Sequence, residues 1–95
     1  MAAVAAPGTR LFIGNLSWNT NDESLRRAFE EGVGGGPGTV TDAKVIVDRY
    51  TGRSRGFGFV TFSSVQLAET AISRMNNADV DGRQVRVDVA STRGD

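Results

Sequence analysis

Four short segments of the chain have the apolar pattern of β-strands. Alternation is clearest over residues 40–47 and 84–89, where an apolar residue recurs at every second position. Shorter apolar runs over 11–16 and 56–62 end at polar or turn-forming residues. Each pattern predicts a strand with one buried face.

Two segments between these strands have the period of amphipathic helices. Their predicted inner faces carry apolar residues three or four positions apart: Leu25, Ala28 and Phe29 in the first helix, and Ala68, Ala71, Ile72 and Met75 in the second. Thr20 with Glu23, and Ser63 with Gln66, have the spacing of capping boxes. These pairs predict where the two helices begin.

The order of these elements indicates the fold class. It is the order of an α+β, ferredoxin-like βαββαβ sandwich. Right-handed crossovers place both helices on one face of a four-stranded antiparallel sheet and leave the other face open to water. We therefore expect one domain at residues 10–91, after a disordered lead-in at 1–9 and before a tail at 92–95.

Two glycine-containing segments predict connections between the elements. Residues 32–38 include five glycines and one proline, a composition that ends a helix and predicts a flexible loop. Asp81-Gly82 is typical of a two-residue hairpin turn. The first segment has the glycine content of a phosphate-binding loop, but the Gly-Lys-Ser/Thr sequence of such loops does not follow it.

The composition argues against several classes of function. The 95 residues contain no cysteine and no histidine, so zinc, haem and iron–sulfur sites and catalysis by a Ser–His or Cys–His pair are not expected. A chain without cysteine is typical of a reducing, intracellular compartment. No apolar run approaches the roughly 18 residues of a membrane span, and the first residues lack the basic flank of a signal peptide. We expect no catalytic residue, metal, cofactor or membrane contact.

Strand alternation predicts three phenylalanines on the open face of the sheet. In the first strand, Phe12 points away from the helices because its two neighbours are the natural core residues. In the third strand, Val60 and Phe62 are needed in the core, which leaves Phe57 and Phe59 on the open face. The glycines between them are typical of a strand that another group approaches closely. A stable monomer seldom exposes such rings without a partner.

Cations surround these rings although the net charge is zero. Eleven Lys and Arg balance eleven Asp and Glu, which by itself argues against a polybasic tether. The acids, however, concentrate on the first helix and near the hairpin turn, whereas Lys44, Arg55 and Arg86 share the face of the rings. Arg49 and Arg53 lie in the adjoining loop. Rings flanked by cations suit single-stranded nucleic acid, whose bases stack while its phosphates meet Arg and Lys.

Two motifs in the first and third strands identify a family resemblance. The octapeptide at 55–62 is RGFGFVTF, which matches the octameric RNP motif of the RNA recognition motif (RRM) family at every position. The hexapeptide at 11–16, LFIGNL, is similar to the hexameric partner of that motif, and the spacing between the two agrees with the family. The closest likeness is to glycine-rich and nucleolin-like RNA-binding proteins. The loop at 32–38 departs from the family, since it adds about five residues.

The resemblance implies a role for each matching residue. Phe12 and Phe57 resemble base-stacking platforms, Phe59 would lie between the sugars of neighbouring nucleotides, and Arg55 would contact a phosphate. The loop at 48–54 matches a segment that often closes over RNA. Five further residues match positions that tune sequence preference in the family: Lys44, Gln84, Arg86, Ala90 and Ser91.

The implied partner is single-stranded RNA, with single-stranded DNA as a second candidate. The resemblance indicates a monomeric domain that acts in RNA processing or metabolism. It favours the nucleus or nucleolus, with shuttling to the cytoplasm, and leaves an organelle as an alternative.

Two other functions are alternatives to RNA binding. A related domain that binds a protein or peptide, through its helical face for example, is the alternative, but such domains typically lack the exposed rings. A ferredoxin-like hydrolase would need an anion-cradling loop with catalytic Arg and Asn, for which the sequence has no pattern. Trp18 is expected to pack within its loop, with stacking on a base as the alternative.

Overall fold

A computed structural model describes residues 9–90 of the chain. It contains two helices and six strands: β1 (Arg10–Gly14), α1 (Asp22–Val33), β2 (Val40–Val47), β3 (Ser54–Phe62), α2 (Val65–Met75), β4 (Asp79–Val80), β5 (Arg83–Gln84) and β6 (Arg86–Val89). None of the helices in this range is long and apolar enough to cross a membrane. The predicted tail, Ser91 and most of the predicted lead-in lie outside the described residues.

Four strands form one antiparallel sheet in the order β2-β3-β1-β6. Both helices pack on the same face of this sheet and against each other. The predicted ferredoxin-like βαββαβ fold is therefore confirmed. The strands β4 and β5 form a separate two-stranded ribbon, joined by Asp81 and Gly82 with φ of 53° and 87°. Positive φ at both positions is the geometry of the predicted two-residue hairpin turn.

The core lies between the sheet and the two helices. Its largest fully buried members are Phe29 and Leu25 of α1, Leu11 and Ile13 of β1, Leu16, Val60 of β3 and Val85. The inner faces predicted for both helices are confirmed, since the predicted residues are buried or partly buried against this cluster. Thr9 is also buried, and its carbonyl accepts a hydrogen bond from the Phe62 amide at 2.9 Å. The folded part thus includes a residue that the sequence assigned to the lead-in.

The capping box of α1 differs from the predicted one. The Asn21 carboxamide oxygen accepts from the Ser24 amide at 2.8 Å, and the Ser24 hydroxyl oxygen accepts from the Asn21 amide at 2.9 Å. The Thr20 hydroxyl instead donates to the Asp81 carboxylate at 2.7 Å. The predicted box of Thr20 with Glu23 is therefore wrong, because Thr20 is drawn to a partner 61 residues away that local spacing cannot reveal.

The start of α2 is likewise shifted by one residue from the prediction. Ser64 is the N-cap, and its hydroxyl oxygen accepts from the Leu67 amide at 3.2 Å. The predicted box of Ser63 with Gln66 is wrong. The Ser63 amide donates to the Thr39 carbonyl at 3.0 Å, so Ser63 still belongs to the connection that closes β3 against the start of β2.

Two glycines have packing roles that the sequence did not assign. Gly32 lies inside α1, which continues to Val33 and ends at Gly34 with φ 76°. The predicted loop therefore begins two residues later, and a Cβ at Gly32 would collide with the sulfur of Met75. At Gly58, a Cβ would lie 2.5 Å from the Lys44 carbonyl oxygen. The group that approaches this strand position closely is thus the backbone of β2.

Alternation fails near the ends of the two edge strands. Val47 is 51% exposed, and a register shift between Val45 and Val47 separates it from the buried residues of β2. Val89 of β6 is 49% exposed although its register partner is the buried Leu11.

The Val45 amide donates to the Asp22 carboxylate at 2.7 Å, which satisfies one backbone donor of β2 from the first residue of α1.

Candidate nucleic-acid interface

Three phenylalanines of the two central strands meet on the face of the sheet opposite the helices. Phe12 of β1 is the register partner of Phe59 in β3. The ring centroids are 5.6 Å apart for Phe12–Phe57, 5.8 Å for Phe12–Phe59 and 6.4 Å for Phe57–Phe59. We call these three rings the phenylalanine cluster. Each ring is half-buried, because its neighbours cover part of it, and the cluster offers one continuous aromatic surface.

A glycine makes room for the first ring of the cluster. Gly14 follows Phe12 by two residues on the same face of β1 and is itself buried. A Cβ at Gly14 would lie 3.1 Å from the Cε2 atom of Phe12. Even an alanine at this position would therefore require the Phe12 ring to shift by a few tenths of an ångström.

Arg10 contacts the phenylalanine cluster, a role that the sequence interpretation missed. The guanidinium carbon lies 4.1 Å from the centroid of the Phe59 ring, which is within the range of a cation–π interaction. The signal was available, since Arg10 precedes Phe12 by two residues in β1 and must share its face. The side chain covers one face of Phe59 and leaves Phe12 and Phe57 as the rings without such a cover among the described residues.

The predicted cations Lys44 and Arg86 flank the cluster from the two edge strands. Lys44 of β2 is the register partner of Phe59, and Arg86 of β6 is the register partner of Gly14. Both side chains are exposed. Antiparallel partners have side chains on the same face and close to one another. The register therefore brings these two cations beside the rings, as the alternation predicted.

The loop between β2 and β3 has a shape held by one carboxylate. The Asp48 carboxylate accepts from the amides of Tyr50 at 2.7 Å and Thr51 at 3.1 Å. These hydrogen bonds, followed by the positive charge of Arg55, hold the pKa of Asp48 below its ordinary value, and partial desolvation opposes them. The Asp48 amide also donates to the Arg53 carbonyl at 2.8 Å, which closes the base of the loop.

The predicted cations of this loop are exposed. Arg49 and Arg53 lie in the loop itself, and Arg55 lies at the start of β3, close enough to Asp48 to influence its titration. Tyr50, at the tip, is 92% exposed. The loop therefore brings several cationic side chains to the end of the sheet where β3 begins.

The last three predicted contact residues, Gln84, Ala90 and Ser91, are not exposed side chains of the main sheet in the described part of the chain. Gln84 lies in β5, outside the main sheet, and its carbonyl accepts from the Asn15 side-chain amide at 2.7 Å. The Arg83 guanidinium donates to the other end of the same side chain at 2.6 Å. Ala90 is buried, and its amide donates to the Arg10 carbonyl at 2.9 Å. Ser91 lies outside the described residues.

Trp18 does not pack within its loop as expected. Its side chain is 73% exposed. The turn is instead held by Ser17, which is buried and whose hydroxyl oxygen accepts from the Asn19 amide at 3.1 Å. The prediction was wrong because a two-residue polar turn can be closed by a small hydroxyl without help from the indole.

The helical side of the molecule has a different chemistry. A recess of 410 Å³ beside α1 is lined mainly by charged side chains of both signs, including Asp22, Arg26 and Glu30. Arg27 and Glu23, also in its lining, form an exposed ion pair at 3.5 Å. Among residues 9–90 no three His, Cys, Asp or Glu side chains are grouped so that they could hold a metal ion. The phenylalanine cluster and the cations Lys44 and Arg86 beside it are on the opposite face, that of the sheet.

Comparison with known proteins agrees with this geometry. A family model described as RNA recognition motif matches residues 11–86, a range that contains the whole phenylalanine cluster. The chain belongs to the RNA recognition motif family. The match covers most of the described residues, so the open face of the sheet described above is the open face of an RRM.

Relatives of this RRM include two plant proteins and a yeast domain of known structure. A glycine-rich RNA-binding protein of Arabidopsis thaliana, named as mitochondrial, is 55% identical over 85 residues, which cover 90% of this chain and 51% of the relative. A glycine-rich RNA-binding protein of Daucus carota is 51% identical, with the same coverage. The chain thus spans about half the length of these relatives. The crystal structure of the second RRM domain of a yeast poly(U)-binding protein is 38% identical, with a TM-score of 0.74, covering 86% of this chain and 93% of that one.

Proposed function

We propose that this RRM binds single-stranded RNA on the open face of its sheet. The observation that carries the proposal is the phenylalanine cluster, an aromatic surface on the central strands with Lys44 and Arg86 on either side. Burying these rings under bases recovers the hydrophobic free energy that the solvated face loses. The names of the plant and yeast relatives, which describe RNA-binding and poly(U)-binding proteins, support the same partner.

In the proposed complex the three rings have different tasks. Bases stack on Phe12 and Phe57, each stack contributing about 1–3 kcal/mol. Phe59, with Arg10 over one face of its ring, contacts the sugars of neighbouring nucleotides. The guanidinium of Arg10 then lies where it can also meet the backbone of the bound strand.

Cations around the cluster supply the electrostatic part of binding. Arg55 contacts a phosphate, and Lys44 and Arg86 lie at the two edges of the surface that binds RNA. The loop with Arg49 and Arg53 approaches the RNA from the end of the sheet. Sequence preference is tuned by three further residues, Gln84, Ala90 and Ser91. Ala90 contributes through its backbone, because its side chain is buried. Single-stranded DNA is the second candidate ligand, since stacking does not require a 2′-hydroxyl.

The cellular role that we propose is RNA processing or metabolism by a monomeric domain. Relatives named as mitochondrial and chloroplastic in Arabidopsis favour work in an organelle. The nucleus and nucleolus are the other proposed locations.

The first test removes one stacking ring. Phe57→Ala is expected to weaken the binding of a mixed-sequence single-stranded RNA by about 1–3 kcal/mol, because one base loses its platform. Phe57→Tyr keeps the ring and is the matched control, with affinity close to that of the unaltered chain. Fluorescence titration gives the two affinities, and thermal unfolding shows that both variants fold.

NMR shifts of backbone amides separate RNA binding from the alternative partner. RNA is expected to shift amides of β1 and β3 around the phenylalanine cluster. Equal affinity of the Phe57→Ala variant and the unaltered chain would contradict the proposal. Shifts confined to α1 and α2 would also contradict it and would favour a protein-interaction domain.

A further inference from the structure

One acidic side chain lies beside the phenylalanine cluster. Asp88 of β6 is the register partner of Phe12 and is exposed. Directly opposed residues in an antiparallel pair share a face and have Cβ atoms roughly 5 Å apart. The Asp88 side chain therefore lies beside Phe12 on the open face of the sheet.

The Asp88 carboxylate is held in place by its own strand. Its Oδ1 atom accepts from the Val89 amide at 2.8 Å. Among residues 9–90 the carboxylate has no other hydrogen-bond or ion-pair partner. The group therefore keeps acceptor capacity, since an ionised carboxylate has about four lone-pair sites.

A carboxylate at this place opposes phosphate but suits the edge of a base. Phosphate oxygens are acceptors and carry negative charge, so they gain nothing from Asp88. A base stacked on Phe12 has its hydrogen-bonding edge in the plane above the ring, where it can extend towards β6. The groups of that edge that a carboxylate can bind are N–H donors.

The four bases differ in the donors they present. Guanine has two adjacent donors, N1–H and N2–H, which match the two oxygens of one carboxylate. Uracil has a single donor, N3–H, between two carbonyl oxygens that the carboxylate repels. Cytosine and adenine each present one amino group on this edge. A carboxylate can therefore accept one hydrogen bond from either base, and its second oxygen has no donor of its own.

Arg86 supplies the complementary donor on the same strand. It precedes Asp88 by two residues, so both side chains are on one face of β6, and its register partner is Gly14. Arginine is the side chain that most often donates to guanine O6. Arg86 and Asp88 together thus offer a donor followed by an acceptor, which is the complement of the guanine edge.

We propose that Asp88, with Arg86, selects guanine for the nucleotide stacked on Phe12. The inference rests on the proposed function, because it assigns a base preference to the same RNA surface. Asp88 is a specificity residue that interacts with the base edge, and Phe12 supplies the sequence-independent stacking.

Asp42 offers a matched control for the charge of Asp88. It lies in the other edge strand, β2, as the register partner of Thr61, and it is exposed. Lys44 follows it by two residues, so Asp42 is on the same face of the sheet but two strands away from Phe12. Asp42→Asn removes one negative charge from the face without altering the edge of the Phe12 ring.

The test compares hexauridylate with the same oligonucleotide carrying one central guanosine or one central inosine. The unaltered chain is expected to bind the guanosine form about tenfold more tightly than hexauridylate, as for one good bidentate contact. Inosine lacks the N2 amino group and should fall between them. Asp88→Asn is expected to reduce the guanosine preference to about twofold or less, whereas Asp42→Asn keeps it.

The outcomes separate this inference from the proposed function. If the unaltered chain binds none of these oligonucleotides and no mixed-sequence RNA, the proposed function fails and the inference fails with it. If it binds RNA but does not prefer guanosine, or if Asp88→Asn retains the preference, only the inference is overturned. Equal loss of preference in both Asp variants would also overturn it, since the effect would then come from charge alone.

Discussion

Neighbouring side chains decide what each residue of the open face can do. Phe12, Phe57 and Phe59 look equivalent in a strand pattern, yet Arg10 covers one face of Phe59 at 4.1 Å. A base that stacked on that face would have to displace a favourable contact worth about 0.5–1 kcal/mol at an exposed site. Phe12 and Phe57 have no such cover within residues 9–90. The two better stacking platforms are therefore set by a neighbour and not by residue type.

Arg55 is another single residue with a testable task, because it is proposed to make one ionic contact with a phosphate. Arg55→Ala should reduce the slope of log affinity against log salt by about 0.7, the value for one phosphate of a single strand. Arg26→Ala, on the exposed side of α1, is the matched control and should leave the slope unchanged. Titrations of single-stranded RNA at several salt concentrations measure both. An unaltered slope for the Arg55 variant would show that this residue does not contact a phosphate.

Whole elements place the chemistry where single residues could not. The sheet order β2-β3-β1-β6 puts both motif strands in the centre, so their rings have neighbours on each side. Gly58 lets β2 approach β3 closely enough to bring Lys44 beside Phe59. The loop between β2 and β3 then carries Arg49 and Arg53 at the end of the same sheet.

That loop gives a prediction for pH dependence. The pKa of Asp48 is lowered in the folded chain, chiefly by the amides of Tyr50 and Thr51, so its stabilising effect is complete above the ordinary carboxyl pKa. It is lost as the pH falls through the lowered value. NMR titration into acid should therefore show the Tyr50 and Thr51 amides shifting together, below the pH at which an ordinary aspartate titrates.

Asp48→Asn is the control for this titration. The carboxamide oxygen can still accept from both amides but does not ionise in this range, so the acid transition should disappear while the loop shape is kept. A transition that persists in the Asn variant, or one centred at the ordinary pKa in the unaltered chain, would contradict the assignment.

At the scale of the whole molecule, charge is unevenly distributed although its sum is zero. Four acids of α1 (Asp22, Glu23, Glu30 and Glu31) are on the helical side, and Lys44, Arg55 and Arg86 are on or beside the ring face. Asp42 and Asp88 also lie on this face. They are outnumbered by Arg10, Lys44, Arg55 and Arg86, so RNA meets a locally cationic surface although the chain is neutral overall. Binding under these conditions depends more on stacking than on counterion release.

The salt dependence of the unaltered chain tests this balance. Contacts of Arg10, Lys44 and Arg55 with phosphates predict a slope of about −2 for single-stranded RNA. Substantial affinity should therefore persist at salt concentrations that abolish binding by polybasic segments. Measuring affinity over a tenfold range of salt decides it, and a slope steeper than about −4 would indicate an extended phosphate-binding track that the structure does not contain in residues 9–90.

Periodicity predicts the face on which a side chain lies, but it does not predict the residue at which a helix begins. The strand faces of Phe12, Phe57 and Phe59 and the inner faces of both helices follow from periodicity, which depends only on local backbone geometry. Helix starts failed at Thr20 and Ser63, because several Ser, Thr and Asn residues compete for the cap within a few positions. Which of these residues becomes the N-cap depends on tertiary contacts such as the hydrogen bond of Thr20 with Asp81.

By itself the sequence determined the fold class, the identity of the three rings and the face they occupy, because side-chain direction in a strand alternates with period two. Only the tertiary structure decided which side chains lie next to these three rings. Cross-strand register places Asp88 opposite Phe12 and Lys44 opposite Phe59, and long-range packing sets Arg10 on one ring and leaves Trp18 exposed. Register and packing depend on residues far apart in the chain, which no local pattern encodes.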